Sequence, residues 1–353
     1  MRLANEVVAL PEYQDHIGLW NDLRAWVPEK LFDAHVHVGL PEFMGSFSPE
    51  RLKEPLSTFA SLSWEELNTL HRQVFAGKTV DGAIVMGWPL REVSIEAANA
   101  YIIRVMQKDS RLKGFMMTHP TDVGQARADF DRARRAGVRF LGTKPYFDFL
   151  GKSNYKSTMP EFIPDALLEF MDAEELVLML HTSGLGMGVE ENREFVGRAL
   201  DRHPRLRIIL AHMGRYLDVE QFRTFCDSDL FEHPRLYLEM SSASRPEVYE
   251  WTLAKPSTHR RLVFGTDFPF GTLTGMEAWS PETGPVYITR DRYTWSDDAV
   301  QRHFAAQTEK LTYNTYHVID SLREAMARRA RPPAETAALK QAIFHDNAAR
   351  LFS

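Results

Sequence analysis

Short apolar, β-prone runs alternate with helix-period segments along most of this chain, and several runs close on a histidine, a lysine or an acid. The runs lie at 31–38, 80–87, 112–118, 138–144, 176–181, 206–212, 236–241 and 262–267. Apolar residues at helical spacing fill the intervals, near 63–76, 92–109, 122–136, 161–174, 190–203, 216–229 and 246–255. Ser63 and Glu66 have the spacing of a capping box at the start of the first of these. Strands alternating with helices read as βαβ units and a parallel sheet. No G-x-G-x-x-G fingerprint follows a run, so repeated units of this kind favour a closed (β/α)8 barrel over an open doubly wound sheet. Gly184, Gly186 and Gly188 lack that spacing and fall in the loop after strand five, as plain loop glycines or a phosphate cradle.

The expected architecture is α/β, a single TIM barrel domain over 1–353. Residues 1–30 form an N-terminal helical extension with a stripe of Ile17, Trp20, Leu23, Trp26 and Val27 for the outside of the barrel. Strands one to eight occupy 31–267, a long top-face loop 268–298, and extra C-terminal helices, read as two, 299–353. The loops at 39–62 and 268–298 are long enough to shape a substrate pocket, the second with Phe268, Pro269, Phe270, Trp279, Pro281 and Trp295.

Composition narrows the class of function. The 353 residues are 44% hydrophobic, with a net charge of −6, so there is no basic footprint for nucleic acid or anionic lipid. The single cysteine, Cys226, has no internal partner, which suits a reducing compartment. The first ten residues lack an apolar leader core, and no apolar run reaches the length of a membrane span. A soluble cytoplasmic enzyme acting on a small molecule is the expectation. The 1–30 helix and the C-terminal helices carry apolar faces, read first as packing on their own barrel and otherwise as the contact of a homo-oligomer.

The chemistry concentrates at strand ends. His35 and His37 are two residues apart, so a strand places both imidazoles on one face, where they can share an ion, unless the motif is an exposed turn. His181 closes Leu178-Met-Leu180 and Asp267 closes Val263-Phe-Gly-Thr266; a carboxylate buried there needs a partner or a metal. Three imidazoles with one carboxylate suit Zn²⁺, with Mn²⁺, Fe²⁺ or Co²⁺ as substitutes. His212 ends strand six, as a further ligand or a base or acid. Lys144 ends strand four, as a rim lysine, a carboxylate anchor or a modified metal bridge. Tyr146 and Arg215 lie just beyond strand ends, placed to bind an anion or, for Arg215, to remain a surface charge. His203, His233 and His259 fall on the lower, stability face, and His119 on the upper one. Glu239 is read as orienting a ligand or pairing with a base. Asp33 is read as lying deeper on the face of His35 and His37, in a supporting role.

Asp33-Ala-His-Val-His37, His181-Thr-Ser-Gly184, Ala211-His-Met-Gly214, Phe264-Gly-Thr-Asp-Phe-Pro269 and Asp346-Asn-Ala-Ala-Arg-Leu-Phe352 resemble, as an ordered set, the amidohydrolase superfamily and its amidohydrolase-2 branch. The resemblance implies a metal held by His35, His37, His181 and Asp267. It gives Asp267 the proton of the attacking water, and His212 the substrate or a second metal. Lys144 stands where some members carry a carboxylated lysine bridging two ions, so one or two metals are implied. The implied reaction is attack of metal-activated water on a lactone, ester or amide carbonyl of a small carboxylate-bearing substrate. The alternative is non-oxidative decarboxylation of an aromatic or muconate-type acid. A metal-binding barrel without turnover is the remaining reading.

Overall fold

Eight parallel strands pair in sequence order: β1 (Lys30–His37), β2 (Thr79–Met86), β3 (Leu112–Met116), β4 (Gly142–Thr143), β5 (Val177–Leu180), β6 (Arg207–Leu210), β7 (Leu236–Glu239) and β8 (Leu262–Val263). The computed structural model describes residues 13–53, 62–216, 218–293 and 296–352. The first ten residues and Trp295, read above, lie outside them. The sheet returns to β1 through the chain just after β8: Ala34 N donates to Phe264 O, Asp267 N to His35 O, and His37 N to Phe268 O. With helices packed around the strands, the molecule is a (β/α)8 barrel, as expected.

Side-chain alternation divides the core. Phe32, Ala34, Ile84, Met86, Phe115, Val177, Met179, Ile209 and Val263 form the cluster within the barrel, and Leu31, Val36, Leu178, Leu180, Leu210 and Leu238 pack towards the helices. Ala348 and Leu351 of the C-terminal turn join the inner cluster, while Arg207 reaches the Leu351 carbonyl at 2.6 Å and Asn347 the Leu262 carbonyl at 2.8 Å. The chain end therefore plugs the bottom of the barrel and leaves the top to the loops.

One break in the alternation decides the chemistry. The β1–β2 register slips between Asp33 and Val36. Phe32 and Ala34 point inward before the slip, His35 and His37 after it, while Val36 and Val38 point out. Asp33 consequently does not share the histidines' face, which corrects the sequence reading. It faces the helix Trp64–Val74, where its Oδ2 meets His71 Nε2 at 2.9 Å and Thr266 Oγ1 at 2.7 Å, and its Oδ1 accepts from Thr266 N. A bulge adds one residue and so swaps every later side chain to the other face.

The helices mostly start and stop where the sequence marks them. Ser63 and Glu66 close the expected capping box, worth about 1 kcal/mol for its Ser N-cap. Trp20 and Leu23 of Tyr13–Leu23 are buried, Trp20 against Phe75 and Tyr316. Three expectations need correction. Strand four pairs only at Gly142 and Thr143, because Pro145 removes a donor just beyond it. The expected loop 268–298 contains an antiparallel hairpin, β9 (Gly275–Ser280) and β10 (Gly284–Thr289). The tail breaks into more than two helices, among them Asp298–His303, Asn314–Arg328 and Pro333–Gln341, with Pro332 and Pro333 forcing one restart.

Candidate functional site

At the top of β1 the two imidazoles are fixed through their outer nitrogens. His37 Nδ1 lies 2.7 Å from the Gly87 carbonyl and His35 Nδ1 3.0 Å from Glu239 Oε2. Both partners only accept here, so each Nδ1 carries the proton and each Nε2 presents a lone pair. Asp267 Oδ1 stands 3.1 Å from one Nε2 and 3.2 Å from the other, with no hydrogen to share. It is buried and takes no hydrogen bond. These ligand atoms lie within 4.8 Å of one another. Three acceptor atoms gathered round one point call for a cation. The donor set of imidazole nitrogens and a carboxylate oxygen fits a divalent transition ion such as Zn²⁺. Lys144 Nζ donates to the same two lone pairs at 2.6 and 2.9 Å, so its ammonium and an ion compete for them.

Glu239 organises the next layer. Its Oε1 accepts from Ser241 N at 2.6 Å, and its Oε2 from Ser241 Oγ at 2.8 Å, His35 Nδ1 at 3.0 Å and His212 N at 3.2 Å. This supports the orienting role for Glu239. Gly265 has no Cβ because one would meet Glu239 Oε1 at 2.4 Å. Since Ser241 Oγ gives its hydrogen to Glu239, it accepts from His212 Nδ1 at 2.9 Å, leaving His212 Nε2 as a lone pair 4.0 Å from Asp267 Oδ2. The sequence reading put His212 at the end of strand six; it lies instead in a left-handed turn (φ 56°) just after β6. His181 Nδ1 bonds the Thr182 carbonyl, and its ring lies 5.3 Å from that of His212. The compact ligand-atom groups among the described residues are His35, His37 and Asp267, and His35, His212 and Glu239. His181 belongs to neither and stands further out along the same wall.

Burial, reinforced at His35 and His37 by the Lys144 charge, lowers the imidazoles: His35 to about 3, His37 to about 4, His212 to about 4, and His181 well below its ordinary value. All four are neutral near pH 7. Burial also lowers Lys144 to about 8 and raises Glu239. At Asp267 burial acts upward, but His35 and Lys144 outweigh it and hold the carboxyl below the usual carboxylate range.

A cavity of about 540 Å³ opens above, lined by His181, His212, Asp267, Tyr146, Arg215, Phe270 and residues of the β9–β10 hairpin. The Arg215 guanidinium and the Tyr146 hydroxyl have no hydrogen-bond partner among the described residues, and burial raises the Tyr146 pKa. His212, Arg215, Ser242 and Asp267 line this cavity with positive φ, a conformation that costs non-glycine residues about 1–3 kcal/mol and recurs at functional sites. Away from the cavity, the His203 carbonyl accepts from the Arg235 guanidinium, His233 Nδ1 accepts from Arg235 N, and His259 Nε2 meets the Leu253 carbonyl, while His119 bonds Thr121. The 184–188 glycines pack against the 211–215 turn, where a Cβ on Gly186 would lie 2.1 Å from the Arg215 carbonyl. Sequence reasoning missed Tyr216, Glu277 and Tyr287 of the cavity wall. Alternation of Met276 with Ala278 and of Val286 with Ile288 was the available signal for the hairpin.

The amidohydrolase family model (Amidohydro_2) matches residues 32–353. This chain belongs to the amidohydrolase family. Solved structures agree on the fold of this family member. A 2,6-dihydroxybenzoate decarboxylase complexed with 2,6-dihydroxybenzoate is 16% identical, with TM-score 0.54 over 91% of this chain and 99% of that one. The 4-oxalomesaconate hydratase from Rhodopseudomonas palustris is 15% identical, with TM-score 0.52 over 91% and 95%. A Pseudomonas putida protein assigned as a 2-pyrone-4,6-dicarboxylic acid hydrolase is 16% identical, with TM-score 0.51 over 92% and 98%. No curated protein sequence matches the chain. Among the described residues no helix is long and apolar enough to cross a membrane.

Proposed function

We propose that this amidohydrolase-family protein is a metal-dependent hydrolase of a lactone, ester or amide bond in a small carboxylate-bearing molecule. The observation that carries the reading is the meeting of three acceptor atoms, His35 Nε2, His37 Nε2 and Asp267 Oδ1, at the floor of a cavity lined by the Arg215 side chain. His35, His37, His181 and Asp267 would hold a divalent ion, most simply Zn²⁺. Such an ion supplies Lewis acidity towards water and a carbonyl when bound. Glu239 keeps His35 in the tautomer that offers Nε2. Asp267, kept anionic, accepts a proton from the attacking water, and His212, with Nδ1 tied to Ser241, offers Nε2 as a second proton acceptor. Arg215 and the Tyr146 hydroxyl take the substrate carboxylate.

Decarboxylation of an aromatic or muconate-type acid is the second reading. It needs a proton delivered to carbon as CO₂ leaves, and the Lys144 ammonium between the imidazoles is the floor's proton-bearing group.

A substrate panel tests the choice. Zinc-, manganese- and cobalt-loaded protein would be offered carboxylate-bearing lactones, esters and amides alongside aromatic and muconate-type acids. Acid release from the first set is expected. CO₂ release without hydrolysis would overturn the first reading in favour of the second, and a folded, metal-loaded protein inert towards both sets would count against both.

A further inference from the structure

The cavity has a second polar wall, distant in sequence from the histidines. The β9–β10 hairpin contributes Glu277, Pro285, Val286 and Tyr287 to it. Glu277 is anchored through one oxygen. Its Oε2 accepts from Ser244 N at 2.7 Å, from Tyr216 Oη at 2.8 Å and from Ser244 Oγ at 3.5 Å. Ser244 Oγ also accepts from Glu277 N at 2.8 Å, which ties the strand to the loop after β7. The other oxygen, Oε1, takes no hydrogen bond from any described residue. Glu277 borders a shallower groove with Arg245 and Trp279 as well, but Tyr216, which fixes its orientation, lines the main cavity.

We propose that Glu277 is a specificity-determining residue whose free oxygen accepts a hydrogen bond from a hydroxyl or N–H on the substrate. The site would then select hydroxylated acids over their unsubstituted and methoxylated counterparts. This rests on the reading above that the cavity takes a small carboxylate on Arg215. A site built to pair with a donor rejects an analogue that lacks one, because its own acceptor then loses its partner on the substrate. Pro285 and Val286 add apolar wall beside the carboxylate, which suits a ring or short chain carrying that donor. Burial raises the Glu277 carboxyl to about 7, so the free oxygen acts as an acceptor in the carboxylate form, above that pH.

Calorimetric titration of the zinc-loaded protein at mildly alkaline pH, where Glu277 is a carboxylate, with benzoate, its hydroxy and methoxy derivatives, phenol and anisole tests the proposal. At least one hydroxybenzoate is expected to bind about tenfold or more tightly than benzoate and its methoxy counterpart. Glu277→Gln should abolish that advantage. The carboxamide oxygen is held by Tyr216 and Ser244, which leaves a donor where the free acceptor was. Glu277→Asp, which withdraws the carboxylate by one methylene, supplies the same comparison if the glutamine variant does not fold. No hydroxyl preference in the wild type, or a preference that survives both substitutions, would overturn the proposal. Failure of the carboxylate reading has a separate signature: Arg215→Met would bind benzoate as well as the wild type does. The phenol and anisole pair would still report on Glu277 in that case.

Discussion

Glu239→Gln isolates the contact that sets the tautomer of His35. The wild-type carboxylate accepts at both oxygens, from Ser241 N at 2.6 Å on one side and from Ser241 Oγ, His35 Nδ1 and His212 N on the other. A glutamine must turn a donor towards one of these sides. Its better orientation places the amide nitrogen against Ser241 N–H, leaving two buried donors facing each other. That costs about 1–3 kcal/mol of stability in the metal-free protein. Replacing a charged acceptor behind His35 should also weaken zinc binding by about 10–100-fold, the usual effect of removing a group that orients a ligand. Chelator competition gives the affinity and urea unfolding of the metal-free protein the stability. A folded variant that binds zinc as tightly as the wild type would refute the orienting role.

Three further outcomes are expected. Arg215→Met should raise KM for carboxylate substrates about tenfold or more with no change in Tm, because the guanidinium has no hydrogen-bond partner among the described residues; a Tm loss with unchanged KM would make it a structural residue. Asp33→Ala strands His71, Thr266 and the His35 N–H at the barrel seam and should cost about 3 kcal/mol or more in urea unfolding. A loss of the size seen at exposed positions would contradict the seam assignment. At Glu277, burial lifts the folded pKa from 4.5 to about 7, so the folded chain binds that proton more tightly than the unfolded one. The stability this contributes is full below the unfolded pKa and is lost as pH rises through about 7. Glu277→Gln lacks the titration, so its stability relative to wild type should rise by about 1–3 kcal/mol between mildly acidic and mildly alkaline pH; a flat difference would refute the shift.

The barrel was legible because strand and helix periods differ and each run carried its own. The strand endings carried most of the floor, since Asp267 and His181 follow apolar runs and His35 and His37 share a parity. Parity failed at Asp33, because a bulge is a backbone event that leaves no period of its own. The left-handed turns at His212, Arg215 and Asp267 were invisible for a related reason: non-glycine residues there are held by tertiary contacts rather than local preference. The hairpin was hidden among prolines and aromatics that read as loop, and with it Glu277. Tyr216 reaches the wall only through that hairpin, so its part could not be read before the fold.

The metal site is the claim on which the rest depends, and anomalous scattering at the zinc edge from zinc-soaked crystals tests it most directly. The expected result is an ion at about 2.0–2.2 Å from His35 Nε2, His37 Nε2 and an Asp267 oxygen, with His181 drawn in to join them. Lys144 Nζ would be displaced from, or chemically altered at, the two imidazoles it now bridges. A zinc-soaked crystal with no ion at this floor, and Lys144 still donating to both nitrogens, would contradict the account.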